Sequence, residues 1–153
     1  MATYNSNLIL AGGGQAAPSV APGTIRPVLG SVVIPNGVTI GSNDTFPLFY
    51  MSAASAGHIL DFFIDTPALD SGATLTMSLL DSTTPTPTTF VNASTVFRAG
   101  GQLSNAQAAR ATVGAAVNYT AQNLIFLRAV AGAGANVGGT PQTVYFWFNI
   151  SRD

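Results

Sequence analysis

A strict two-residue alternation near the end of this 153-residue chain is the feature that most limits its fold. Successive side chains of an extended strand point to opposite faces of a sheet. The segment 144–150 therefore places Val144, Phe146, Phe148 and Ile150 on one face and Tyr145, Trp147 and Asn149 on the other. The pattern predicts a β-strand that carries Tyr145 and Trp147 on the face opposite the phenylalanines.

Two further segments lie around strong turn signals. Val32–Ile34 and Val38–Ile40 flank Pro35-Asn36-Gly37. An Asn-Gly pair between apolar runs favours a tight hairpin, so we expect these two segments to pair with each other. Phe46–Met51 is another apolar run, and Pro47 inside it predicts an edge strand or a bulge, because proline cannot donate a ladder hydrogen bond.

The middle of the chain also alternates. In the segment 58–65 we expect Leu60, Phe62 and Ile64 on one side and Asp61, Phe63 and Asp65 on the other. Residues 74–80 alternate in the same way, and residues 81–89, which are almost entirely Ser, Thr and Pro, predict an exposed loop. About eight short strands with little helix indicate an all-β antiparallel sandwich, and eight strands favour a jelly roll covering residues 31–153.

Residues 1–30 differ from the rest, because glycine and proline interrupt every period there. Small apolar groups remain within this segment, at Leu8, Ile9, Leu10, Val20 and Ile25. A flexible linker would lack such groups. We expect an extended N-terminal arm that lies on a neighbouring subunit through these five residues; a disordered tail is the alternative that the sequence leaves open.

The charge content points to a covered surface. The chain has no lysine and no glutamate, only 7% of its residues are charged, and its formal net charge is -1. Lysine and glutamate are depleted in the buried parts of protein–protein interfaces. We therefore expect other chains to cover much of the surface. Five scattered arginines form no basic stripe, which argues against nucleic acid as a partner.

Membrane and secretion signals are missing from the pattern. No run reaches the ~18–20 apolar residues of a bilayer-spanning helix, so we expect no membrane partner. The first residues lack the cationic start of a signal peptide, which favours synthesis in the cytoplasm.

The sequence offers little for catalysis. His58 is the one histidine, and Asp61, three residues further along an extended strand, would point to the opposite face. The chain has no cysteine, and its aspartates lack the spacing of a calcium loop. We expect no enzyme activity, no metal and no cofactor. Tyr145 and Trp147, with Phe63, could form an aromatic platform for a sugar, although a subunit contact is the favoured interpretation.

Two stretches carry a resemblance to a known family. Residues 58–81 contain a strand, the turn Leu69-Asp70-Ser71-Gly72 and an alternating strand; residues 90–101 form a Phe/Ser/Thr strand that ends in Arg-Ala-Gly-Gly. This arrangement resembles small virion proteins of tailed bacteriophages. The resemblance implies a structural role, as in head decoration (cement) proteins, which are commonly β-sandwich trimers on the capsid surface.

We therefore expect a capsid decoration protein that binds the major capsid protein, associates with itself as a homotrimer, and stabilises the phage head. Its location would be the virion, on the capsid surface, after synthesis in the host cytoplasm. A carbohydrate-binding or other structural module of a phage tail or fibre, using Tyr145 and Trp147, is the alternative. A small hydrolase built on His58 is a third and weaker hypothesis.

Overall fold

The computed structural model describes residues 1–10, 25–51, 57–70, 74–104, 123–131, 134–135 and 140–152. Two four-residue helices lie in these ranges: α1 (Asn7–Leu10) and α2 (Val96–Ala99). The strands are β1 (Ile25–Ile34), β2 (Thr39–Ile40), β3 (Thr45–Met51), β4 (Gly57–Thr66), β5 (Thr76–Asp81), β6 (Thr89–Ser94), β7 (Gly101–Ser104), β8 (Asn123–Ala131), β9 (Gly134–Ala135) and β10 (Gln142–Arg152).

Eight of these strands form two antiparallel four-stranded sheets. The front sheet has the order β1-β10-β4-β7, and the back sheet has the order β3-β8-β5-β6. The chain crosses between the sheets repeatedly, so that strands distant in sequence lie side by side, as in a jelly roll. The predicted all-β antiparallel sandwich is confirmed. Among the described residues, no helix is long and apolar enough to cross a bilayer.

Phenylalanines from both sheets fill the space between them. Phe49 of the back sheet contacts Phe148 of the front sheet edge-to-face, with ring centroids 5.0 Å apart. Phe148 in turn stacks near Phe62 of β4, at 5.6 Å. Both Phe146 and Phe148 are buried, as the alternation of the segment 144–150 predicts. Aromatic pairs at these distances stabilise a core beyond the area that they bury.

The alternation in β4 changes phase at a bulge. Asn149 of β10 lies opposite Asp61, but the next residue, Ile150, lies opposite Ile59, so the register shifts by one residue and Leu60 is the extra residue of β4. One extra residue in a strand reverses the inward and outward positions that precede it. Consequently Ile59 is buried and Leu60 is 38% exposed. The prediction that Leu60 shares a face with Phe62 and Ile64 is wrong for this reason.

The predicted hairpin at Asn36-Gly37 is also wrong. The turn is present, with Gly37 at a positive φ of 74°. However, β1 pairs along its whole length with β10, and β2 pairs with β9 instead. A local turn signal fixes the direction of the chain but leaves the partner strand open. The expectation for Pro47 is confirmed, because β3 lies at a sheet edge and its register shifts between Pro47 and Phe49.

The N-terminal residues lie against strands of the same chain. The N–H groups of Tyr4 and Ser6 donate to the carbonyl oxygens of Thr45 and Pro47, at 2.9 and 3.0 Å. On the other side, the Asn7 side-chain oxygen accepts the backbone N–H of Ser31 of β1, at 2.8 Å. Residues 2–7, which we call the N-terminal clasp, therefore cover neighbouring edges of the two sheets.

This arrangement differs from the predicted division at residue 30. Strand β1 begins at Ile25, six residues before the expected start of the sandwich, because residues 25–34 find a full-length partner in β10. Leu8 packs against the core of its own chain and Ile9 is half-buried, while Leu10 ends α1. Val20 and the rest of residues 11–24 lie outside the described residues. Contact of this segment with a neighbouring subunit stays a prediction.

Candidate binding surface

The outer face of the front sheet carries two parallel rows of side chains. Three residues from adjacent strands lie in register, and we call them the apolar row: Leu29, Trp147 and Phe63. A second set lies two positions from the apolar row along the strands, and we call it the polar row: Ser31, Tyr145, Asp65 and Gln102. Neighbouring strands are ~4.8 Å apart, and two positions along a strand span ~6.7 Å.

The apolar row is exposed to an unusual degree. Leu29 is 60% exposed, Trp147 44% and Phe63 43%. Contiguous apolar surface of this kind marks an interaction site more often than a scattered exposed leucine does. The rings of Phe63 and Trp147 contact each other with centroids 6.0 Å apart and a tilt of 36°. The Trp147 indole N–H donates to the Asn149 side-chain oxygen at 3.2 Å, which fixes the orientation of the ring.

Together the two rows line an open groove of about 630 Å³. Asn7 of the N-terminal clasp and Gly30 also line it. A Cβ atom at Gly30 would lie 2.4 Å from Cζ of the buried Phe146, so a side chain there would displace the ring beneath the groove. The groove therefore depends on a glycine at residue 30.

The electrostatics of the groove are one-sided. Asp65 is the charged residue that lines it, and no arginine does so among the described residues. Asp61, four positions from Asp65 along β4, adds a second carboxylate to the same face. The groove thus offers acceptors and an apolar platform, and none of its described lining residues carries a positive charge that could neutralise an anion.

The structure brings some of the predicted site residues together and separates others. Tyr145 and Trp147 lie side by side in the groove, as the alternation predicts. Ile25 is 58% exposed on the same face, but four residues along β1 from Leu29 and so outside the groove. Leu8 and Ile9 both lie in α1, where Leu8 packs against the core of the sandwich.

Sequence reasoning missed four lining residues: Asn7, Leu29, Ser31 and Gln102. Leu29 had a signal, because Ile25, Leu29 and Val33 alternate with Val28 and Val32 across the predicted boundary at residue 30. The other three are polar residues that only the strand register and the fold of the clasp bring to the groove. For metals, the described residues contain no group of three or more His, Cys, Asp or Glu side chains that could hold an ion.

Fold and surface together define a jelly-roll protein with an exposed, partly apolar sheet face. No protein-family model and no curated protein matches the chain. Among solved structures, the chain is similar to one from the capsid of Ralstonia phage GP4, with a TM-score of 0.74 and 18% identity over 99% of each chain.

A second similar structure is a chain from the capsid asymmetric unit of cyanophage Pam1. The TM-score is 0.52 and the identity 18%, over 92% of this chain and 94% of the other. At this identity the two matches establish a shared fold.

Proposed function

We propose that this chain is a structural protein of a phage virion, and that it decorates the head by binding the major capsid protein. The observation that carries the proposal is the likeness of fold to the Ralstonia phage GP4 capsid chain, which spans 99% of both chains.

The surface composition supports assembly. A chain without lysine or glutamate has few of the residues that keep a monomer's surface hydrated and apart from its neighbours. Apolar side chains are exposed on both sheets, with Val33 at 53% in β1 and Val130 at 39% in β8. Such a surface suits a protein that is held among other copies. The same features support the proposal of a role in assembly rather than in catalysis.

The proposed partners are the major capsid protein and two further copies of this chain. Each subunit of a homotrimer would supply a modest contact area to the shell. When three linked contacts bind together, the second and third act at high effective concentration, so that weak single contacts give stable binding. The location on the capsid surface and synthesis in the host cytoplasm belong to the same proposal.

Residues of the N-terminal segment remain the proposed contacts with the shell, chiefly Val20. Removal of residues 1–30 would not test this, because it takes away six of the ten residues of β1. A Val20→Asp substitution instead keeps all ten residues of β1. It should weaken binding to shells at least ~10-fold, whereas the matched variant Val33→Asp, exposed on the front sheet outside the groove, should bind normally.

The experiment combines the purified full-length chain with shells assembled from the major capsid protein of the same genome. We expect the chain to co-sediment with the shells in a sucrose gradient at a constant ratio. The shells should also resist heat-induced disassembly better when they carry it. In analytical ultracentrifugation the free chain should sediment as three copies. A chain that stays at the top of the gradient in the presence of intact shells would overturn the proposal.

A further inference from the structure

We propose that the groove on the outer face of the front sheet binds a neutral, hexose-containing glycan. Glycan binding is separate from binding to the shell. The residues that line the groove all lie in the part of the chain that the structure describes. The source we assign is the surface polysaccharide of a bacterial cell, an assignment that rests on the proposed function of a protein exposed on a virus particle.

The two rows match the two sides of a sugar ring. A pyranose presents a face of C–H groups and a rim of hydroxyl groups. The apolar row provides a flat surface of Trp147 and Phe63 for the C–H face. The polar row, about 6.7 Å away along the strands, provides acceptors and donors for the rim. Ligand sites generally combine a mainly apolar wall with a few placed polar groups, as this groove does.

The aromatic platform is held in place before any ligand arrives. The hydrogen bond from the Trp147 indole to Asn149 and the contact with Phe63 restrict the ring. Trp147 and Phe63 lie on β10 and β4, the two central strands of the front sheet, each of which has a neighbouring strand on both sides. A rigid platform reduces the entropy lost on binding, which is the main obstacle for a small polar ligand.

Charge decides the class of glycan. The carboxylate of Asp65 accepts hydrogen bonds from hydroxyl groups but repels sulfate, phosphate and carboxylate groups. Since no arginine lines the groove among the described residues, an anionic sugar or a nucleic acid would find no counter-charge. The geometry therefore favours neutral hexoses with free hydroxyls over sialylated or sulfated glycans.

The experiment begins with a printed array that carries neutral hexose oligosaccharides beside sialylated and sulfated ones. We expect the full-length chain to bind a subset of the neutral glycans only. Maltohexaose, mannotriose and lactose are then titrated by calorimetry together with any neutral glycan that binds on the array. Because Trp147 is the one tryptophan of the chain, its fluorescence reports binding directly. Affinity for an uncharged ligand should not change between low and high salt.

Variants separate the glycan groove from the shell contact. Trp147→Ala should lower the affinity for the bound glycan at least ~10-fold, and Trp147→Phe should keep part of it, because phenylalanine retains an aromatic face. Asp65→Asn should weaken binding less than Trp147→Ala does. Val130→Ala, which removes exposed apolar surface from the other sheet, should bind as the unmodified chain does. The three groove variants should co-sediment with shells normally.

Three results would overturn this proposal. The folded chain could bind no neutral glycan on the array, it could bind only anionic glycans, or Trp147→Ala could abolish binding to shells. The last result would assign the groove to a protein partner. Failure of decoration with intact glycan binding would instead overturn the proposed function and leave the groove assignment standing.

Discussion

Three buried aspartates, Asp44, Asp70 and Asp81, act as acceptors for backbone N–H groups at turns. Asp44 accepts from Gly41 at 2.8 Å, and Asp70 accepts from Leu75 at 2.5 Å. Asp81 is fully buried and accepts from Thr83 at 3.1 Å and Thr88 at 2.7 Å, which closes the loop between β5 and β6. A short carboxylate can replace missing backbone partners in a turn in this way.

Loss of the Asp81 carboxylate should therefore destabilise the protein. Asp81→Ala leaves two backbone donors without this acceptor, and we expect a loss of about 2–3 kcal/mol in the free energy of unfolding. Asp81→Asn should cost less, because the amide oxygen still accepts. Chemical denaturation measures both. The control is Asp65→Ala, which is exposed and should change stability by less than about 0.5 kcal/mol. Equal losses for Asp81→Ala and the control would contradict the assigned role.

Ionisation of Tyr4, in the N-terminal clasp, makes the stability of the protein depend on pH in the alkaline range. Burial raises the pKa of its hydroxyl above the ordinary value of 10.0, and the nearby Asp44 carboxylate raises it further. The folded state therefore favours the neutral phenol. Its contribution to stability is fully present below about pH 10, the pKa in the unfolded chain, and is lost as the pH rises through the higher pKa of the folded state.

Thermal unfolding between neutral pH and pH 11 tests this. We expect Tm to fall above about pH 10 and to fall less steeply in Tyr4→Phe, which keeps the ring but cannot ionise. Identical slopes for the two proteins would show that Tyr4 does not carry the effect.

At the level of elements, the clasp closes edges that would otherwise be open. Tyr4 stacks on the buried Phe46 with ring centroids 5.0 Å apart. The Ser6 hydroxyl, itself buried, donates to the carbonyl oxygen of Leu48. Exposed strand edges with free backbone groups promote association with other chains. The clasp thus protects the β3 edge as well as adding to the core.

A variant that lacks residues 1–6 should show both effects. We expect a lower Tm and, in dynamic light scattering, aggregates that the complete chain does not form under the same conditions. Tyr4→Ala alone should cost about 1–3 kcal/mol, since it removes a partly buried aromatic contact. Asn5→Ala, which changes an exposed side chain of the same segment, serves as the control and should behave as the complete chain. Unchanged Tm and solubility without residues 1–6 would show that the clasp is dispensable.

The same elements show what could be predicted from the sequence. The alternation of residues 144–150 correctly placed Trp147 outside and Phe148 inside, because side-chain direction in a regular strand is a local property. Pairing is not local. The full-length match of β1 with β10, and of β2 with β9, depends on residues more than 90 positions apart. The bulge at Leu60 likewise has no mark in the sequence of β4.

For the candidate surface, too, the local side-chain direction could be predicted from the sequence, whereas the pairing of strands could not. Tyr145 and Trp147 could be predicted as neighbours on one outer face, because they lie two positions apart on one strand. Asp65 was recognised as part of a solvent face, yet only the register with Tyr145 makes it a neighbour of the aromatic residues. Asn7 reaches the groove because the N-terminal clasp folds back onto the strands. The glycine- and proline-rich sequence that follows the clasp gave no reason to expect this fold.

At the scale of the whole molecule, shell binding and glycan binding need different surfaces. The groove occupies the outer face of the front sheet. If a decorating subunit is to bind a cell-surface glycan, this face must point away from the shell. A sandwich offers such a separation, because its two outer faces lie on opposite sides of one core.

The exposure of Trp147 on an assembled particle tests this orientation. The chain can be produced with 5-hydroxytryptophan at residue 147, so that its fluorescence is distinct from tryptophan in the capsid protein. We expect acrylamide to quench this signal equally in the free chain and on shells, because the groove remains open to solvent in both states. As a positive control, addition of a bound neutral glycan should reduce quenching in both. Protection of residue 147 on shells without glycan would place the front sheet against the capsid, since only burial of the indole removes it from the quencher.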